Sequence, residues 1–329
     1  MVVPTQMWAV SHRVPATAAQ LQLTQVPVPV PRADELLVRV RATALNRADI
    51  LQRRGLYPAP PGASAILGLE VVGEVVQACG AWQVGQRVMA VVTGGGYAEY
   101  CCVPAAEAMA VPDTVSDVQA AAIPEAFLTA WLNLITLGAL QPAESVFVHA
   151  GASGVGSMAI QLAQRWGAHV YTAAGTPEKR QLCTTLGATL ACDSRNPPHA
   201  EVITQATNGA GVHIVVDMLG APAWDDNTAM LARGGRLLLV GLLAGAKAPI
   251  DLGVILGKSL TIAGTTLRRT PAPAKATLVA AASAWLLPRL ARGDIVAVVD
   301  STFSMAQVSD AHARMEANAN AGKIVLVWP

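Results

Sequence analysis

"VFVHAGASGVGSMAIQLAQRWGAHVYTAAGT", residues 146–176, is the stretch that decides the fold. A short valine-rich run leads into Gly151, Gly154 and Gly156, a helical run follows to Trp166, and a second strand-like run covers His169–Ala174. At such a corner, glycines let the backbone approach a pyrophosphate, while the helix start offers free N–H groups and the positive end of its dipole. In a strand–turn–helix setting the pattern reads as a dinucleotide cradle; the alternative is a glycine turn that serves only the chain path.

Downstream, helical runs such as "PEKRQLCTTLG", "PPHAEVITQATNG" and "AWDDNTAMLARGG" alternate with apolar runs "TLACD", "HIVVDML", "RLLLVGLL" and "SLTIAGTT". Strands separated by helices of this length predict an α/β doubly wound domain with a parallel sheet covered on both faces. Upstream, to about Val111, the runs are short, rich in valine and leucine, and punctuated by Gly and Pro, as in an irregular antiparallel β domain. After Leu267 the chain returns to that character, ending in "GKIVLVW". The expected organisation is therefore a discontinuous first domain, 1–122 with 268–329, and an inserted dinucleotide-binding domain, 123–267.

With 329 residues the chain is long for one core. It is 53% hydrophobic and 14% charged, and its net charge of +1 is spread without a basic stripe, so a nucleic-acid partner is not expected. The most continuous uncharged stretch, Ala276–Pro288, falls short of the roughly 20 apolar residues of a membrane span. The first residues show no basic start, apolar core and cleavage site in order, so the expected location is cytoplasmic. Five cysteines at irregular spacing, with no C-x-x-C pair, read as apolar fillers instead of disulfide partners or a zinc cluster.

Two local features bear on chemistry. An NAD-specific site wants an acid near the end of the second strand to accept from the ribose 2′-OH. Here that place holds Gly175 and Thr176, with Lys179 and Arg180 close behind, which predicts NADPH unless the two cations only cover a solvated helix face. The second feature is Glu70 in "ILGLEVVGEV", residues 66–75. An unpaired buried carboxylate costs several kcal/mol, so Glu70 needs a partner cation or a part in the reaction.

The segments "ALNRADILQRRGLYPAPPGAS", "ILGLEVVGEV", "AAIPEAFLTAW", "AGASGVG" and "MEANANAGKIVL" together resemble the medium-chain dehydrogenase/reductase superfamily over essentially the full length. Within it the likeness is to the zinc-independent NADPH:quinone oxidoreductases, in particular the tumour-suppressor-inducible branch. The resemblance implies a GroES-like β-rich catalytic domain with a Rossmann domain inserted. Zinc-dependent relatives carry a Cys where this chain has Asn46 and a His where it has Leu69, and neither is a good zinc ligand. No metal is expected.

Reduction of a simple ketone leaves an alkoxide that zinc would steady, whereas a quinone spreads the charge over a phenolate and needs no such help. By resemblance, Asn46, Tyr57 and Thr129 line the substrate cleft, with Asn46 and Thr129 also near the nicotinamide. The alternatives are an Asn46 that caps a turn and a Tyr57 that anchors a Pro-rich loop. The resemblance implies that Gly151, Gly154, Val155 and Gly156 would face the pyrophosphate and that Thr176, Lys179 and Ser194, the last in place of a family tyrosine, would surround the 2′-phosphate. Gly241, Leu242, Leu267, Arg268 and Asn320 match positions that touch the nicotinamide half. Asp217 reads as a strand-end structural acid.

The resemblance also implies a basic residue near the chain end close to Glu70, here Lys323, so a buried Glu70–Lys323 pair is expected. The implied activity is NADPH-dependent reduction of quinones or other conjugated carbonyls. An enoyl or 2-alkenal reductase and a non-catalytic NADPH-binding protein are the alternatives. The edge strand near Ser259–Thr266 would pair with a second copy in a homodimer.

Overall fold

The computed structural model describes residues 2–329, which divide into two compact units: the chain up to Leu128 together with Arg268–Pro329, and Thr129–Leu267. The first boundary falls inside the helix Pro124–Trp131 and not before it at 122/123. Its opening turn is held by the first unit, where the Phe127 ring stacks on Trp285 with centroids 5.9 Å apart.

The second unit is built on a six-stranded sheet in the order Leu190–Asp193, His169–Ala174, Ser145–Val148, Val212–Asp217, Leu231–Leu239, Thr261–Gly264. All neighbours are parallel. The order reverses between Ser145–Val148 and Val212–Asp217, the crevice at which doubly wound sheets bind ligands. Its strands are apolar on both faces, as helices on both sides require, and Phe147, Val215 and Leu237 are fully buried. One helix is shorter than its sequence suggests. "AWDDNTAMLARGG" stops being helical at Met230, and the strand takes over at Leu231, paired with Val212.

In the first unit a mostly antiparallel sheet runs Val299–Ser304, Lys323–Val327, Glu35–Ala44, Glu70–Gln77, Arg87–Val91, Ala108–Ala110, with Tyr100–Pro104 also on Glu35–Ala44. Val325 pairs with Ala44, so the C-terminal strand completes a sheet begun by the N-terminal segment. That places the start of the C-terminal strand, with Lys323, one strand away from Glu70, across Glu35–Ala44. Among the described residues no helix is long and apolar enough to cross a membrane.

Candidate functional site

In the second unit, Ser153 caps the helix Gly154–Arg165, its hydroxyl accepting the Gly156 N–H at 3.0 Å, while the Ser157 N–H goes to the Ser153 carbonyl. The N–H groups of Gly154 and Val155 are left at the helix start, where an anion is favoured. Gly151 and Gly156 act by close approach. A Cβ on Gly156 would lie 2.3 Å from the Ala150 carbonyl oxygen, and one on Gly151 would lie 2.1 Å from Thr172 Oγ1. Either side chain would push the helix off the sheet.

Around the end of the next strand, Thr176 caps the helix Pro177–Thr185 and accepts the Lys179 N–H at 3.3 Å. Ser194 lies beside Gly175, its hydroxyl 3.6 Å from where a Cβ on that glycine would stand. Arg180 differs from expectation. It is turned to Asp193 at 3.0 Å, and Arg195 grips the same carboxylate through Nε at 2.9 Å and Nη2 at 2.7 Å. These partners hold the Asp193 carboxyl well below its ordinary range, the Arg195 hydrogen bonds first. The cations beside Thr176 are thus partly neutralised by an acid that the sequence does not single out.

Asp217 accepts the N–H groups of Leu219 and Gly220 and fixes the turn after its strand. Gly241 donates to the Asp217 carbonyl, and Leu242 beside it is exposed. Thr129 is buried, its carbonyl accepting from Asn133 Nδ2 at 2.8 Å, and Leu267 is buried at the end of this unit.

The first unit holds a compact polar cluster. Glu70 is fully buried, and its Oε1 accepts from Lys323 Nζ at 2.6 Å and from Asn46 Nδ2 at 2.8 Å, while Oε2 accepts the Glu125 N–H at 2.9 Å. Lys323 Nζ also donates to Asn46 Oδ1 at 2.7 Å. Asn46 stands at the N-cap of the helix Arg47–Arg53, yet its amide is turned inward, with Nδ2 also reaching the Ala44 carbonyl at 3.3 Å. Its donors are therefore committed to the protein, unlike the open donor to an acceptor oxygen that the resemblance implies.

Asp49 takes over the cap by accepting the Asn46 N–H at 2.8 Å and the Gly68 N–H at 3.1 Å. Burial raises the Asp49 carboxyl to about 6, with those two N–H groups pulling the other way. Behind it, Arg53 Nη1 lies 3.1 Å from His312 Nδ1. Because an arginine only donates, Nδ1 must accept, so Nε2 carries the proton toward the Tyr97 oxygen at 3.3 Å. Tyr97 in turn donates to Asp49 Oδ2 at 3.3 Å. Burial, reinforced by Arg53, lowers His312 to about 3 and keeps it neutral.

Tyr57 and Arg268 form the more open side of the cluster. The Arg268 guanidinium carbon lies 5.4 Å from the centre of the Tyr57 ring, within cation–π reach. Its Nε donates to the Thr93 carbonyl at 2.9 Å, while Nη1 is buried without a partner. Burial raises the Tyr57 phenol. Asn320 is spent locally, donating to the Gly322 carbonyl at 2.8 Å. Glu125 opens the helix Pro124–Trp131 half-buried; burial first and Glu70 second raise its carboxyl to about 8. It was legible by the argument applied to Glu70, as a single acid in the apolar run "AAIPEAFLTAW".

Where zinc-dependent relatives carry ligands, this chain has a locked Asn46 and a buried Leu69. Among the described residues, no group of three or more His, Cys, Asp or Glu side chains gathers as a metal site would need.

Residues 32–113 match the alcohol dehydrogenase GroES-like domain family, and residues 154–283 match the zinc-binding dehydrogenase family. One component of the phenolphthiocerol/phthiocerol polyketide synthase of Mycobacterium tuberculosis is 33% identical over 91% of this chain. The chain spans only 14% of that component's length. Among solved structures, mycobacterial Rv1454c in complex with NADPH is 31% identical with a TM-score of 0.88, covering 98% of this chain and 100% of that one. A quinone oxidoreductase of Pseudomonas syringae is 26% identical with a TM-score of 0.87, again over 98% and 100%.

Proposed function

Because the chain belongs to the medium-chain dehydrogenase/reductase superfamily, we propose that it is a metal-free reductase that uses NADPH to reduce quinones. The cofactor fits the residues present. A pyrophosphate suits the Gly154 and Val155 N–H groups, over glycines that no side chain could replace, and a 2′-phosphate suits Thr176, Lys179 and Ser194. When bound, NADPH supplies a hydride from nicotinamide C4.

The observation that carries the acceptor class is the ammonium of Lys323, 2.7 Å from Asn46 Oδ1 and 2.6 Å from Glu70 Oε1. A fixed cation already neutralises the glutamate and would repel a divalent metal, and neither Asn46 nor Leu69 offers a thiolate or imidazole. Without a Lewis acid to steady an alkoxide, turnover falls to acceptors whose conjugation spreads the incoming charge. The resemblance of segments such as "ILGLEVVGEV" and "MEANANAGKIVL" to the tumour-suppressor-inducible branch supports the quinone reading.

The similarity to a polyketide synthase over nine-tenths of the chain favours a second reading, reduction of an enoyl or 2-alkenal substrate. Side-by-side turnover of 1,2-naphthoquinone, 1,4-benzoquinone, a 2-alkenal and a simple alcohol separates the readings. Quinone turnover well above the alkenal supports the first, the reverse order supports the second, and tight NADPH binding with no turnover makes the chain a binding protein.

The proposal includes a homodimer through the edge strand in residues 259–266. Thr261–Gly264 ends its sheet, and the neighbouring helix Leu252–Lys258 leaves Leu252 and Leu256 exposed at 62% and 82%. An open edge flanked by apolar side chains invites pairing.

A further inference from the structure

We propose that Arg195, aligned by Asp193, is a specificity-determining residue that grips the 2′-phosphate of NADPH in the place where the family tyrosine is missing. This rests on the NADPH reading above and is independent of the acceptor.

The sheet of the second unit places the residue. Leu190–Asp193 runs parallel to His169–Ala174 with Asp193 level with Ala174, and the Ser194 N–H donates to the Ala174 carbonyl at 3.2 Å. Ser194 and Arg195 therefore leave the sheet beside Gly175 and Thr176, the strand end at which a dinucleotide-binding unit meets the adenosine ribose. A serine hydroxyl reaches far less than a tyrosine's, which leaves the closing of this place to the longer side chain next to it.

Asp193 fixes that side chain. Its Oδ1 accepts the Arg195 backbone N–H at 3.0 Å and Nε at 2.9 Å, and its Oδ2 accepts Nη2 at 2.7 Å, so both the loop and the plane of the guanidinium are set. Arg180 Nη1 reaches the same Oδ2 at 3.0 Å. One carboxylate thus stands between two guanidinium groups. With Lys179 and the exposed Glu178 from the start of the helix Pro177–Thr185, three cations face two acids, an excess that a further anion relieves.

Of the two arginines, Arg195 is the one able to answer. Its side chain is 62% exposed, against 25% for Arg180, whose helix position turns it to Asp193. Asp193 takes the Nε donor and one Nη2 donor of Arg195, and the rest of its five guanidinium N–H groups have no protein acceptor among the described residues. A guanidinium pinned along one edge offers the other edge as a planar fork to phosphate oxygens. Little side-chain freedom is then left to lose when the ligand arrives.

The test is calorimetric titration of full-length wild type, R195A and R195K with two pairs of probes. Adenosine 2′,5′-bisphosphate and adenosine 5′-monophosphate differ by the 2′-phosphate alone, as do NADPH and NADH. R195A is expected to bind the bisphosphate and NADPH about tenfold more weakly, with the monophosphate and NADH unchanged and the melting temperature that of wild type. R195K, which keeps the charge without the fork, should fall between the two. An R195A that binds the bisphosphate as tightly as a discriminating wild type would overturn this proposal alone, as would an equal loss for both members of each pair, the mark of a merely structural arginine. A wild type that binds the members of each pair equally would overturn the NADPH reading, and this proposal with it.

Discussion

Nζ of Lys323 stands 2.6 Å from Oε1 of Glu70, across 253 residues of chain, with both side chains almost fully removed from solvent. The pair ties the last strand of the first unit to a strand in its middle, and Asn46 bridges the two charges. Leaving one member of such a pair alone is far costlier than the pair itself. E70Q is therefore expected to lose about 3–5 kcal/mol of stability in urea unfolding. Its turnover at a temperature where it stays folded should fall less than tenfold, and a collapse of turnover in a protein that melts normally would make Glu70 catalytic.

Purified protein is expected to contain no stoichiometric zinc by elemental analysis, and strong chelators should leave any quinone turnover unchanged. One chelation-sensitive zinc per chain would contradict the reading of Asn46, Leu69 and Lys323.

Loss of the Lys179 ammonium should separate the two nicotinamide cofactors. A hydrogen bond to a charged group contributes about 1.5–3 kcal/mol, so K179A should weaken NADPH binding by roughly 10- to 100-fold and leave NADH binding nearly unchanged. R180A should discriminate less, because Arg180 is paired with Asp193. Titration of nicotinamide fluorescence measures both.

His312 and Asp49 make opposed contributions to the pH dependence of stability. His312 titrates near 3 in the fold against 6.5 for a free histidine, so its contribution is full above 6.5 and is lost as pH falls toward 3. Asp49 titrates near 6 against 3.8, so its contribution is full below 3.8 and is lost as pH rises through 6. Between about pH 4 and 6 the two slopes offset. D49N should lose stability on acidification more steeply than wild type there, by about 1.4 kcal/mol per pH unit, as read from urea melts.

At the open sheet edge, L256E is expected to shift the protein from dimer to monomer in light scattering without lowering the helix content. A wild type that is already monomeric at micromolar concentration would remove the edge-strand interface.

Much of the fold was legible because it is written in local periodicity. The glycines of residues 151–156 stand between a strand pattern and a helix pattern, and the alternation that follows is what a parallel sheet demands. The helix at "AWDDNTAMLARGG" ended early because a partner strand claimed Leu231, and that competition lies outside the helix's own residues. Glu70's need for a partner was legible too, since a charge in an apolar strand must find one, while Lys323 as that partner came from the family resemblance. Less legible was the direction of side chains. Arg180 reads as a phosphate contact until Asp193, at the end of another strand, takes it. Asn46 reads as an open donor until Lys323 and Glu70 occupy both ends of its amide.

The chain alone determined where strands and helices alternate and that Gly151, Gly154 and Gly156 fall between a strand and a helix, because each depends on residue types a few positions apart. The tertiary structure decided which acids are buried together and which partners they find. Burial first, and then Glu70, distant in the chain, raise the Glu125 carboxyl. Charge interactions depend on separation in space and on burial, and neither can be read from the order of the residues.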